Sequence, residues 1–140
     1  MKRKRKGFTL IELIAVAMII ALLAGFLAPK VFKNLGKAKG HIAIGQIAQI
    51  AGKLEAFAID CSRYPTQTEG LGALVAPPSE LEEKWAGSYL KEKQLFDPWG
   101  NPYIYIEEGT VNPGSYDIIC FGADGVEGGE DDNADISNDR

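Results

Sequence analysis

Six carboxylates crowd one stretch of this chain: Asp124, Glu127, Glu130, Asp131, Asp132 and Asp135 fall within twelve positions, with Gly125, Gly128 and Gly129 among them. Side chains of one sign at this density repel, and the plainest reading is a disordered acidic tail. The chemistry that would order it is a hard cation. Ca²⁺ takes about six to eight oxygen ligands, from carboxylates and backbone carbonyls, on a loop flexible enough to wrap the ion. Asp131, Asn133 and Asp135 match the D-x-[DN]-x-[DN] opening of an EF-hand loop, but Ile136 stands where that loop requires glycine.

Three other groups invite attention. Glu12 is the only charge in FTLIELIAVAMIIALLAGFLA, residues 8–28; a carboxylate toward a bilayer centre costs about 2.5–3.5 kcal/mol or more and marks a function. Cys61 and Cys120 could close one disulfide in an oxidising compartment, adding about 3–4 kcal/mol, or remain two buried thiols. His41 is the lone histidine and reads as a surface residue. Catalysis has little support: neither an H-E-x-x-H metal pair nor a G-x-S-x-G nucleophile turn occurs, which disfavours a membrane-anchored enzyme.

The elements that must position these groups begin with a charge asymmetry. Five of the fifteen basic residues (Lys2, Arg3, Lys4, Arg5, Lys6) lie in the first seven positions, and losing them takes the formal net charge from −4 to −9. So acidic a surface excludes nucleic acid as a partner, because phosphate binding needs clustered Lys and Arg. The apolar run is long enough to span a bilayer as a helix. The basic cluster before it places the N-terminus in the cytoplasm and the remainder outside. A secretory signal is cut after its apolar run; the candidate cut here, between Gly7 and Phe8, precedes it. That cut would create an amine four residues before Glu12, a counter-charge within the helix or on a neighbouring copy.

Helical spacing continues beyond the run, with Ile47, Ile50, Ala51, Leu54, Phe57 and Ala58 on one stripe. Helix from Phe8 to about Cys61 would be about 80 Å long. Pro29, with Gly25 and Gly36 near it, predicts a kink or melted stretch. Lys30, Lys33, Lys37 and Lys39 read as a solvated or inter-subunit face. RYPT ends the helix, TEGLGALVAPP reads as a short helix or turn, and turns bracket strands at 103–106 and 116–121. Trp99 and the tyrosines would pack this sheet on the stripe. With 46% apolar and 24% charged residues, 140 residues suit one domain plus an appendage.

KGFTLIEL resembles the leader and cleavage motif shared by type IV prepilins and type II secretion pseudopilins. RYPT, TEGL, DPWGNPY and GADG extend the similarity over essentially the whole chain, toward the major pseudopilins of type II secretion systems. The resemblance implies an α+β, type IV pilin-like fold: one long N-terminal helix, membrane-spanning in its first half, on a small antiparallel sheet with a C-terminal calcium-binding loop. Its parts would be a cleaved leader (1–7), a transmembrane and filament-core helix (8–30) and a periplasmic head (31–140).

The resemblance also implies a prepilin peptidase cutting after Gly7, N-methylation of Phe8 and an assembly role for Glu12. The subunit would be stored in the inner membrane as a single-pass protein among lipid. It would then polymerise with itself, with minor pseudopilins, an assembly platform and a cytoplasmic ATPase, to push folded proteins through an outer-membrane channel. The rival within the superfamily is a type IV pilus major pilin serving adhesion, motility or DNA uptake. Carried over residue by residue, the calcium ligands are Asp124, Asp131 and Asp132 with the backbone carbonyls of Phe121 and Val126; aligning on the Asp-Ile pair brings in Asp135 instead, and Glu130 stays in play.

Overall fold

A computed structural model describes residues 7–139. The leader assigned to residues 1–7 lies outside the described residues except for Gly7, which is exposed. Helix α1 runs from Leu10 to Cys61. Its start is set by a capping box, which satisfies backbone donors that a helix leaves unpaired in its first turn. The Thr9 N–H and hydroxyl donate to Glu12 Oε2 at 2.8 and 2.9 Å, and the Glu12 N–H donates to Thr9 Oγ1 at 3.3 Å. The helix ends where Ser62 turns to a φ of 63°, the left-handed conformation that closes helix C-termini.

The melted stretch expected near Pro29 is not found: α1 is continuous helix through that residue. Proline has no N–H for the carbonyl four residues back. One missing bond in 52 residues is outweighed by the cooperative ladder on either side.

The chain divides into two compact units, one ending at Leu35 and the other beginning at Gly36. The first holds the apolar part of α1, long and apolar enough to cross a membrane. Its side chains are exposed on every face, from Leu10 and Ile11 to Leu22, Leu23 and Phe26. An all-round apolar helix needs a lipid or protein environment to cover it.

In the second unit the helix becomes one-sided. Ala43, Ile47, Ile50, Leu54, Phe57 and Cys61 are buried, at the i, i+4, i+7 spacing that keeps them on one face. Ala51 and Ala58, also assigned to the stripe, lie half-buried at its margin. Against this face pack Leu71 and Leu74 from a 3₁₀ turn at Gly70–Leu74, then Leu81, Leu90 and the sheet. Full burial of each large apolar side chain contributes about 1.5–3 kcal/mol.

The sheet has three antiparallel strands in the order β1 (Ile104–Ile106), β2 (Asp117–Cys120) and β3 (Ile136–Ser137). Tyr105 pairs with Ile118, and Cys120 with Ile136. Tyr105, Ile118 and Cys120 face the core. The expected turn at 97–102 is closed by a bridge between Phe96 and Pro102, and Trp99 packs against the core.

Four tyrosine hydroxyls reach polar residues of α1. Tyr103 donates to Gln46 (2.6 Å) and Tyr89 to Asp60 (2.7 Å). Tyr64 and Tyr116 both donate to Glu55, at 2.8 and 3.1 Å. Burial of the rings is thus combined with a directional bond at each tip.

Two acidic residues lie inside the head, although an unpaired buried charge is costly. Asp97 Oδ1 accepts the N–H groups of Trp99 and Asn101, both at 2.9 Å. Asp117 is fully buried and gathers the loop before β2: its carboxylate accepts the N–H groups of Thr110, Val111 and Asn112 and the Asn112 side-chain amide, at 2.7–2.9 Å. Burial pushes the Asp117 carboxyl up, but these donors outweigh it and hold it below the usual carboxylate range.

Candidate functional site

Two regions bear the residues singled out from the sequence. At the N-terminal one, Gly7, Phe8 and Glu12 are all exposed. The Thr9 partnership gives the lone charge of the apolar run two local hydrogen bonds. The pattern T-x-x-E that signals such a cap stands in the sequence at 9–12, obscured there by the assignment of Glu12 to assembly alone.

The acidic segment is folded. After β2, Gly122 adopts a φ of 67°, and a side chain there would meet the Asn133 backbone at 2.7 Å. The Ala123 N–H donates to the Asp132 carbonyl (2.9 Å) and the Asn133 N–H to the Glu130 carbonyl (3.1 Å). Asp131–Asn133 form a 3₁₀ turn. The Asn101 side chain donates to the Gly122 carbonyl at 3.0 Å, tying the 97–101 turn to the base of the loop. Asn138 closes the far end: its Oδ1 accepts the Ile118 N–H at 2.9 Å and its Nδ2 donates to the Tyr116 carbonyl at 3.2 Å. Charge repulsion is thereby offset by backbone pairing and a third strand.

The candidate ligands are placed differently from one another. Asp124 and Asp131 are exposed; Asp124 Oδ1 accepts the Val126 N–H at 3.1 Å. Asp132 is half-buried and its carboxylate lies against Gly36 of α1. Asp135 is half-buried; its Oδ2 accepts the Gly128 N–H at 2.9 Å, whereas its Oδ1 is buried with no hydrogen-bond partner. Phe121 is half-buried, and Val126 and Glu130 are exposed. Among the described residues, no three His, Cys, Asp or Glu side chains converge as a ready ligand set.

A buried acceptor left without a donor costs about 1–3 kcal/mol or more for a charged group. A hard cation would satisfy Asp135 Oδ1, and all the donors here are oxygens, the ligand type that Ca²⁺ takes. Asp124 and Asp135, with the Phe121 and Val126 carbonyls, fit such an ion in chemistry. Asp132, as placed, is directed elsewhere.

Cys61 and Cys120 are not joined: both are free and buried. Cys120 Sγ donates to Asp97 Oδ2 at 3.1 Å, which gives it a partner other than sulfur. Burial, with the Asp97 bond acting in the same direction, pushes the Cys120 thiol up to about 12, and burial likewise raises Cys61. Neither is poised as a nucleophile, which requires thiolate character.

Comparison with known proteins settles the family. The family described as type II secretion system protein G matches residues 30–139, and the prokaryotic N-terminal methylation motif matches residues 2–28. The chain belongs to the type II secretion system protein G family. It is 40% identical to the type II secretion system core protein G of Pseudomonas aeruginosa, covering 98% of this chain and 96% of that one. The Vibrio cholerae core protein G is 41% identical, over 97% of this chain and 92% of its own length. The crystal structure of the major pseudopilin from the type 2 secretion system of enterohaemorrhagic Escherichia coli superposes with a TM-score of 0.60 at 30% identity, covering 79% of this chain and 94% of that one.

The resemblance read from KGFTLIEL, DPWGNPY and GADG is therefore borne out, as is the fold of one long helix on a small antiparallel sheet. Within the protein G chain the two family matches meet on either side of Pro29. The methylation-motif match covers the apolar part of α1, and the protein G match covers the rest.

Proposed function

We propose that this chain is the major structural subunit of a type II secretion pseudopilus, polymerising from the inner membrane to drive export of folded proteins across the outer membrane. The observation that carries the reading is similarity along nearly the full length to type II secretion core G proteins. The pilus alternative is not favoured. The chain is a membrane-anchored structural subunit, and no catalytic step is assigned to it.

The apolar unit supplies the physics of assembly. Its large side chains are uncovered, and each requires lipid or protein around it to recover its burial energy. Lipid covers them before assembly and copies of the same helix cover them in the filament, so a subunit can leave the bilayer without stranding its apolar surface in water. A prepilin peptidase cut between Gly7 and Phe8, with methylation of Phe8, prepares the terminus. The amine so formed lies near Glu12, whose carboxylate can exchange its Thr9 contacts for that cation. The N-terminus is cytoplasmic and the head periplasmic; minor pseudopilins, the assembly platform and its ATPase are the further partners.

The head is proposed to bind Ca²⁺ in the 121–135 loop, with Asp135 and Asp124 as side-chain ligands and the Phe121 and Val126 carbonyls beside them. When bound, the ion neutralises part of the carboxylate repulsion. The orphaned Asp135 Oδ1 supports this reading.

Gene disruption with complementation tests the function. Loss of exoprotein secretion, restored by the wild-type gene and not by E12A, is expected. Intact secretion with loss of surface filaments or twitching would overturn the assignment in favour of a pilus.

A further inference from the structure

Five interior glycines of α1 differ sharply in what surrounds them. At Gly45 and Gly52, as at Gly25, a Cβ would meet nothing within 4 Å. At Gly36 the space for a Cβ is already filled by the Asp132 carboxylate, and at Gly40, one turn on, a Cβ would touch Ile136 Cδ1 at 3.9 Å. Gly36 is buried, Gly40 half-buried and Ala43 fully buried. The head-facing stripe of α1 therefore starts with small residues at 36, 40 and 43 and turns large at Ile47.

The segment crossing this small end is the C-terminal strap, 122–138. It is fixed to the sheet by the pairing of β3 with β2 and by Asn138. At its crown, the Asp132 carbonyl accepts the Ala123 N–H at 2.9 Å while the side chain extends to the helix. Among the described residues the only ion pair is Arg63–Glu69, so the seating of Asp132 is a matter of shape and not of a salt bridge.

We propose that Gly36 and Gly40 form a slot on α1 in which the C-terminal strap seats, with Asp132 as its latch. The strap is a conformational device that ties the acidic loop to the first turn of the head unit, which begins at Gly36. Seated, Asp132 is withheld from any ion in the loop, leaving Asp124 and Asp135 as the side-chain ligands. That last clause rests on the calcium reading above; the slot itself does not.

The test is hydrogen exchange on the full chain in detergent, with chelator and with Ca²⁺, read in the strap and at 36–43. Alanine is a better helix former than glycine, so G45A is the control and should leave strap exchange unchanged. G36A should speed strap exchange by about tenfold or more, because the latch is displaced and local opening becomes easier. The double variant G36A/D132A should exchange no faster than D132A alone, since the new methyl matters only while the carboxylate occupies the slot. Equal strap exchange in G36A and G45A, or effects of G36A and D132A that simply add, overturns the slot. Calcium titration of D132A separates the two readings. Retained binding supports the latch; binding lost in D132A with strap protection intact makes Asp132 a ligand and overturns it. Absence of calcium binding in the wild type defeats the ion reading while strap exchange still decides the slot.

Discussion

The Cys120 thiol donates a hydrogen bond to the Asp97 carboxylate at 3.1 Å, and both residues are buried. The same carboxylate holds the turn that carries Trp99 and Asn101. A sulfur thus ties β2 to a turn some twenty residues earlier in the chain.

The first prediction is that both cysteines stay reduced and unreactive in the folded protein. With the Cys120 thiol raised to about 12, its thiolate is scarce near neutral pH, and the thiolate is the reacting form. Iodoacetamide at neutral pH should label neither residue until denaturant is added. Fast native labelling, or an intact mass showing the loss of two hydrogens, would contradict the structure.

Acid stability provides a second. Arg63 grips Glu69 through two bonds, at 2.7 and 2.8 Å, and the Thr66 N–H adds a third at 2.8 Å. The Arg63 bond, assisted by Thr66 against the opposing effect of burial, takes the Glu69 carboxyl from 4.5 to about 2. The folded value is the lower one, so the stabilisation is present above 4.5 and is lost as pH falls from there toward 2. E69Q should show a smaller drop in Tm over that window than wild type. Parallel curves would remove Glu69 from the account of acid unfolding.

A third concerns Asp117. In D117N one acceptor oxygen becomes an NH₂ facing backbone N–H groups, leaving a donor unmet at a cost of about 1–3 kcal/mol. The denaturation midpoint should fall with an unchanged m-value. An unchanged midpoint would mean that the loop at 109–115 does not depend on the carboxylate.

The fourth tests the cation. Chelator should lower the Tm of the full chain in detergent, and Ca²⁺ should restore it; at a hundredfold excess over Kd, binding adds about 2.7 kcal/mol by linkage. D135N should lose most of this response, since Asp135 Oδ1 is the orphaned atom. No shift on adding calcium back would sink the proposal.

Much of this architecture was legible from residue order. The Ile47, Ile50, Leu54, Phe57 stripe, the turn at 97–102 and the strands around Tyr105 and Ile118 follow from period and turn chemistry, and the structure places them accordingly. What escaped depends on pairings distant in sequence. The two residues of β3 sit in a stretch whose charge density argues against a strand, and only the edge of β2 makes one of them. Asp97 in its turn and Asp117 in its strand carry no sequence sign of burial, which arises only when the sheet folds onto the helix. Pro29 costs one local hydrogen bond without melting the helix, because the ladder on either side is invisible to a single residue's propensity. Gly36 reads as a helix weakness until Asp132 is seen against it.

The tyrosine tips on Gln46, Glu55 and Asp60 have a mechanical meaning. A pull along the axis of α1 stretches these contacts sideways and together, since sliding the helix by one turn, about 5.4 Å, carries every partner out of reach. Hydrogen bonds loaded in parallel share the force, whereas those of a peeling hairpin break one at a time. The head therefore behaves as a grip on the rod, able to transmit thrust from the base of a filament without slipping along it.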